Sequence, residues 1–251
     1  MPAPDSRHQP EQQAPPVQRL RIRYAKRGRM RFTSHRDFSR AFERAVFRAG
    51  VPMAYSSGFN PHPRISYAGA APTGASSEAE YLEIGLATEV DPAALHADLD
   101  ESLPDGLDVL EVVVSAGGSL TDRLEGSHWR IELPGVDPDD LARAVATLLA
   151  ADEVPVERMT KKGLRRFDVR AAIVELVGSA CPTHDATCAI LNVVLRHGTP
   201  SVRPDDVLAG LRTSSELSVP AAALQQRLAQ GPLGEGGTVG DPLSPDRDAA
   251  G

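Results

Sequence analysis

Between Gln18 and Ala25, Leu20, Ile22 and Tyr24 alternate with Arg19, Arg21 and Arg23. A period of two predicts a strand with one apolar face and one basic outer face. A turn at Gly28 follows. Thr33 or Ser34 then caps a helix that runs to Ala49 and stops at Gly50. Phe38, Ala41, Phe42, Ala45, Val46 and Ala49 fall at helical spacing and form its apolar stripe. Pro52 to Ser56 reads as a short extended piece, and Arg64 to Ala71 and Glu80 to Ala87 as strands. Asp91 opens a helix ending near Leu103, and the β-branched run from Leu107 to Ser115 is a further strand. The order β-α-β-β-α-β is that of a ferredoxin-like unit.

The second half repeats the theme. Strands are expected at Ser127–Leu133, Val154–Arg158, Phe167–Val177 and Thr187–Arg196, with helices at Asp137–Ala150 and Pro204–Leu211. The expected class is therefore α+β, as two tandem ferredoxin-like units over residues 18–118 and 119–215. The Pro/Gln-rich stretch 1–17 and the Gly/Pro-rich tail 230–251 are expected to be disordered.

Charge changes this picture. The chain carries a net charge of -7, yet twelve Lys/Arg and only two acids, Asp37 and Glu43, lie between Arg19 and Arg64. Such concentration points to a polyanionic partner at that surface, unless the acidic remainder neutralises it on folding. No run approaches the roughly 18 apolar residues of a membrane span. The opening MPAPDSRHQPEQQAPP has no apolar core of a secretion signal, and two cysteines make no disulfide framework. The expectation is a cytoplasmic protein with no membrane association.

Four features could carry chemistry. Arg36, Arg40, Arg44 and Arg48 recur every four residues and form one stripe opposite the core, with Phe47 on the same polar side. Guanidinium groups interleaved with an aromatic suit a nucleic-acid backbone with a stacked base; a solvated rim with Phe47 packed on the second unit is the plainer alternative. Lys26, Arg29 and Arg31 extend the basic surface. In the second feature, Ser56 to Arg64, prolines on both sides brace His62, and Tyr55, Phe59, Asn60 and Arg64 surround it as candidate substrate contacts. His35, third, sits at a helix N-terminus whose dipole favours neutral imidazole, able to act as a general base toward a ribose hydroxyl; His35 and His62 are the candidates for catalysis, against the plainer reading of capping or packing residues. The fourth, Ala71 to Glu78, is a turn able to meet an anion, without the Gly-Lys-Ser/Thr ending of a phosphate loop. Cys181 and Cys188, with His184 between, do not have a zinc spacing, and Cys188 reads as core. No three-cysteine set is present for an iron–sulfur cluster, so no cofactor or metal is expected.

The run RMRFTSHRDFSRAFERAVFRAGVPMAYSSGFNPHPRISYAGAAPTGASSEAEYLEI resembles the opening of the radical SAM-linked protein family, a domain of unknown function. The likeness extends with SVRPDDVLAGL over about Arg19 to Leu211. It implies partnership with a cobalamin-binding radical SAM enzyme that supplies the cluster chemistry. A more distant likeness, to CRISPR repeat-processing endoribonucleases, places His35 near their first-helix histidine. The leading expectation is a non-catalytic adaptor that binds RNA, or an RNA-containing substrate, for a radical SAM partner. The alternatives are a metal-independent endoribonuclease using His35 or His62, and a pure protein-interaction module.

Overall fold

A computed structural model describes residues 12–160, 163–182, 187–219 and 223–249. The first half contains β1 (Gln18–Lys26), α1 (His35–Arg48), β2 (Ile65–Ala68), β3 (Ser76–Leu86), α2 (Pro92–Ser102) and β4 (Leu107–Val114). The second contains β5 (Gly126–Pro134), α3 (Pro138–Ala150), β6 (Pro155–Thr160), β7 (Gly163–Asp168), β8 (Ile173–Ala180), β9 (Cys188–Arg196), α4 (Pro204–Ser214) and β10 (Leu224–Gly231). A single-turn helix, α5 (Ser244–Asp248), follows.

Local chemistry explains the helix starts. Ser34 Oγ accepts from the Asp37 amide at 3.2 Å and donates to its carboxylate at 2.7 Å, fixing the first turn of α1. Asp91 and Asp137 cap α2 and α3, each followed by a proline whose missing N–H is no loss at that position. The stripe expected on α1 is the buried one: Phe38, Phe42, Ala45 and Val46 face the sheet. Each large side chain so buried stabilises the fold by about 1.5–3 kcal/mol.

The α+β class expected from the sequence holds, and the strands form one large mixed sheet. Its order is β4-β1-β3-β10-β5-β9-β8, with β2 also pairing β3. Within each half every pairing is antiparallel. The halves join through a short parallel contact, Gln226↔Ser76 and Arg227↔Ser77. The β6–β7 ribbon stands apart as its own two-stranded sheet. The single strand expected over 167–177 is divided, because the chain turns through Arg170–Ala172 between β7 and β8.

Three apolar clusters lie against the sheet. One, with Leu20, Ile22, Phe42 and Leu99, sits under α1 and α2; a second, with Ile131, Leu141, Leu191 and Leu211, sits under α3 and α4. The third, with Tyr81, Val113, Leu120 and Leu243, covers the reverse face of the first half. That third cluster overturns two expectations. The tail expected to be disordered from 230 supplies the end of β10, Leu243 and α5; residues 1–11 and 250–251 lie outside those described. The expected basic outer face of β1 is covered in part by this tail: Arg21 is 0% exposed and bonds Asp246 at 2.8 Å, while Arg19 stays exposed. Cys188 is buried in β9, as expected, and is disulfide-bonded to Cys181; His184 lies outside the described residues.

Candidate functional site

Folding sorts the basic segment into neutralised and free groups. Arg19 and Arg21 pair with Glu83 at 2.9 and 3.0 Å, and Arg27 pairs with Glu78 and with Asp108. Arg23 donates to the Glu78 carbonyl. Arg19, Arg21 and Arg23 are strand residues and Arg27 follows directly on the strand; antiparallel register places Arg21 opposite Glu83. On α1 the situation differs. Arg36, Arg40, Arg44 and Arg48 are all exposed, and none makes an ion pair among the described residues. Arg48 alone has a hydrogen-bond partner, the Ser102 carbonyl at 3.1 Å. Phe47 is 87% exposed beside Arg40, Arg44 and Arg48 and does not pack on the second half. Arg29 is exposed, and the Arg31 guanidinium lies 4.7 Å from the centre of the exposed Phe32 ring.

The His62 loop forms a second, separate feature. Ser56 N–H donates to the His62 carbonyl at 2.9 Å and His62 N–H to Ser56 Oγ at 3.0 Å, closing the loop at its base. Phe59, Asn60 and His62 are exposed at its tip, with Tyr55 at its edge. Arg64 is turned back, its Nε donating to the Tyr55 carbonyl. His62 and Arg64 line a groove of about 280 Å³ with Arg19 and Glu83. His35 does not join them. Its ring stands edge-on to Tyr67 at 5.0 Å and lines a different cavity.

That cavity is a cleft of about 740 Å³ where the two halves meet. One wall is the 69–73 loop with His35; the other carries Ser127, Trp129, His197 and the start of α4. Arg227 and Gln230 of β10 reach it from the seam between the halves. Arg227 is 3% exposed and pairs with Glu80, 2% exposed; its remaining donors meet Ser77 Oγ at 3.1 Å, the Gly69 carbonyl at 2.6 Å and Gln230 Oε1. Gly69 has φ +58°, and a Cβ there would lie 2.5 Å from the Gln230 amide, so a side chain would be strained and would displace Gln230. Lys26, 5% exposed, is not on the surface as expected. It sits behind the loop, with Nζ donating to the Ala71 and Pro72 carbonyls at 3.3 and 3.4 Å.

A polar chain crosses the second wall. Trp129 Nε1 donates to Ser127 Oγ at 2.8 Å, and Ser127 Oγ lies 3.0 Å from His197 Nε2. His197 Nδ1 donates to the Leu124 carbonyl at 2.7 Å. The carbonyl can only accept, so the proton sits on Nδ1 and Nε2 receives the serine hydroxyl. A serine aimed at an oriented neutral histidine is the arrangement that activates a nucleophile. Ser127, however, is 2% exposed, which leaves no room for an acyl or phosphoryl centre to approach it. The chain therefore acts to position the wall. Burial pushes the His197 pKa below the ordinary value of 6.5, with Arg227 adding to the effect against the Leu124 hydrogen bond. The unfolded chain then binds the proton more readily, so stability falls as pH drops below about 6.5 until the folded pKa is passed. Melting curves from pH 7.5 to 5 should show this decline, at no more than about 1.4 kcal/mol per pH unit, and His197→Gln should remove it.

Sequence reading found the helix face and the His62 loop but missed Ser127, Trp129, His197, Arg227 and Gln230. Arg227 and Gln230 lie in or beside a stretch read as tail, Ser127 and Trp129 sit on β5 and His197 just past β9, each without a local motif. The one signal was that Ser127 and Trp129 share the inward face of β5 with Ile131 and Leu133, alternating with His128 and Arg130. Among the described residues no three His, Cys, Asp or Glu gather to hold a metal ion, and no helix is long and apolar enough to cross a membrane.

Comparison with known proteins adds a family. No curated protein matches the chain. A crystal structure described as an unknown protein from Galdieria sulphuraria is similar over 84% of this chain and 96% of its own, at 13% identity and a TM-score of 0.24. A family model described as "Uncharacterized protein conserved in bacteria (DUF2344)" matches residues 19–204, from β1 to the start of α4. With most of its length in that match, the chain belongs to this uncharacterised bacterial family, DUF2344.

Proposed function

We propose that the protein is a non-catalytic adaptor that binds RNA along the outer face of α1 and works in the cytoplasm beside a radical SAM enzyme. The observation that carries the RNA reading is the contrast between β1 and α1. The strand residues Arg19 and Arg21 are neutralised by Glu83, whereas Arg36, Arg40 and Arg44 face solvent with no ion pair among the described residues, next to an exposed Phe47 and with Glu43 as the one acid in the Arg40–Arg48 groove. Four guanidinium groups spaced along a 14-residue helix cover about 20 Å, the reach of several phosphates. The radical SAM partner is supported by the family resemblance of the signature segment. With two cysteines, the chain leaves cluster chemistry to that partner. The ribonuclease alternative draws less support, because His35 and His62 line separate cavities and no hydrogen bond orients either ring among the described residues.

Titration with transfer RNA and ribosomal RNA fragments over a range of salt tests the reading. Wild-type binding should weaken steeply with salt, and the Arg40→Glu/Arg44→Glu double variant should lose about two units of the log–log slope. Phe47→Ala should weaken binding by about 1–3 kcal/mol if a base stacks there. All three residues are exposed, so melting temperatures should stay unchanged. Equal RNA affinity in wild type and the double variant would overturn the proposal. Co-purification with a radical SAM protein after nuclease treatment would instead favour pure protein interaction.

A further inference from the structure

We infer that the cleft between the halves is a second binding site, built for a ligand the size of a nucleoside monophosphate with its phosphate beside Arg227, in the field of the Lys26 charge held behind the 69–73 loop. The argument starts from a charge count. Lys26, Arg227 and Glu80 are 5%, 3% and 2% exposed, two cations against one carboxylate. Arg227 takes Glu80, while Lys26 Nζ reaches only the carbonyls of Ala71 and Pro72. No other carboxylate pairs with either cation among the described residues. Buried charge without a counter-ion is costly, and an anion settling in the cleft beside Arg227, across the 71–72 backbone from Lys26, offsets that cost.

The cavity has the dimensions and lining for the rest of such a ligand. Its volume of about 740 Å³ lies inside the roughly 300–1,000 Å³ of small-molecule sites. Leu124, Trp129, Val202 and Ala70 offer apolar contact for a flat base, and the hydroxyls of Thr73 and Thr121 face the same space. Arg203 and Asp205 at the rim offset one another. The source of the nucleotide is a free monophosphate or the phosphorylated end of an RNA. The second source rests on the α1 reading: the arginine row begins at Arg36, one residue from His35 at the cleft mouth. The site itself does not depend on that reading.

Isothermal titration of the full chain with AMP, UMP, adenosine and inorganic phosphate tests the site. The monophosphates should bind, and adenosine should bind at least tenfold more weakly. Lys26→Met should reduce AMP affinity about tenfold or more. Ala70→Trp, at an exposed position on the loop, should fill the cleft and abolish binding without lowering the melting temperature. Arg40→Glu/Arg44→Glu should leave AMP binding intact, which separates this site from the helix face. No AMP binding to the folded wild type at millimolar concentration, or unchanged binding in Ala70→Trp, overturns the inference whatever the RNA result. Phosphate binding as tightly as AMP overturns the nucleotide assignment. A short RNA that binds better with a 5′-phosphate than without, and loses the difference in Ala70→Trp, identifies the RNA end as the source; no such difference beside AMP binding identifies the free nucleotide.

Discussion

Replacing Asp246 with alanine is expected to lower stability by about 3–5 kcal/mol, the cost of removing the central carboxylate from a buried ion-pair network. Asp246 is 1% exposed and sits in the last turn before the chain ends. Its carboxylate accepts from Arg21 at 2.8 and 2.9 Å, from Arg123 at 2.7 Å and from the Ala116 amide at 2.9 Å. Arg21, fully buried, would keep Glu83 and the carbonyls of Gly117 and Gly118 but lose its bidentate partner. In a chain of this size the melting temperature should fall by about 6–20 °C. The pH dependence has a defined sign. Burial pushes the Asp246 carboxyl up, but the Ala116 amide and the two guanidiniums outweigh it and hold the pKa below the ordinary 3.8. Its stabilising contribution is therefore present above pH 3.8 and is lost as pH falls through the lower folded value. Asp246→Ala should unfold at a higher pH and lower temperature than wild type. A melting temperature within 1 °C of wild type would show that the tail does not secure the sheet.

This contact also marks how far the sequence could be read. Periodicity located α1 and its buried stripe because Phe38, Phe42, Ala45 and Val46 repeat within one element, and Ser34 caps it through Asp37, three residues on. The exposure of Arg36, Arg40 and Arg44 followed from the same wheel. The fate of Arg21 did not, because its partner lies 225 residues away in a stretch whose Gly/Pro content resembles disorder. Alternation in β1 gave two faces correctly; only the tail decides that Arg21, on the outer one, is buried. The cleft was illegible for a similar reason. His35 comes from α1, His197 from beyond β9 and Arg227 from β10, and only the seam between β3 and β10 brings them to one cavity.

At that seam, Glu80→Gln is the substitution with the other large expected effect, again about 3–5 kcal/mol. It leaves Lys26 and Arg227 buried together with no carboxylate between them. Burial already pulls the Lys26 pKa below its ordinary value, with Glu80 opposing that pull, so removing Glu80 exposes the full repulsion. Neutralising the lysine should recover part of the loss: the order of stability is expected to be Lys26→Met at or above wild type, then the Glu80→Gln/Lys26→Met double variant, then Glu80→Gln alone. A double-mutant cycle by urea unfolding measures this coupling directly. Because Glu80 lies on β3 and Arg227 on β10, the same loss should appear as faster amide exchange at Ser76 and Ser77, where the two strands run parallel. If Lys26→Met instead destabilised the chain as much as Glu80→Gln, the lysine would be acting as a strut for the 69–73 loop and not as surplus charge. The order of the variants thus decides whether the floor of the cleft is held in wait for an anion or is already complete.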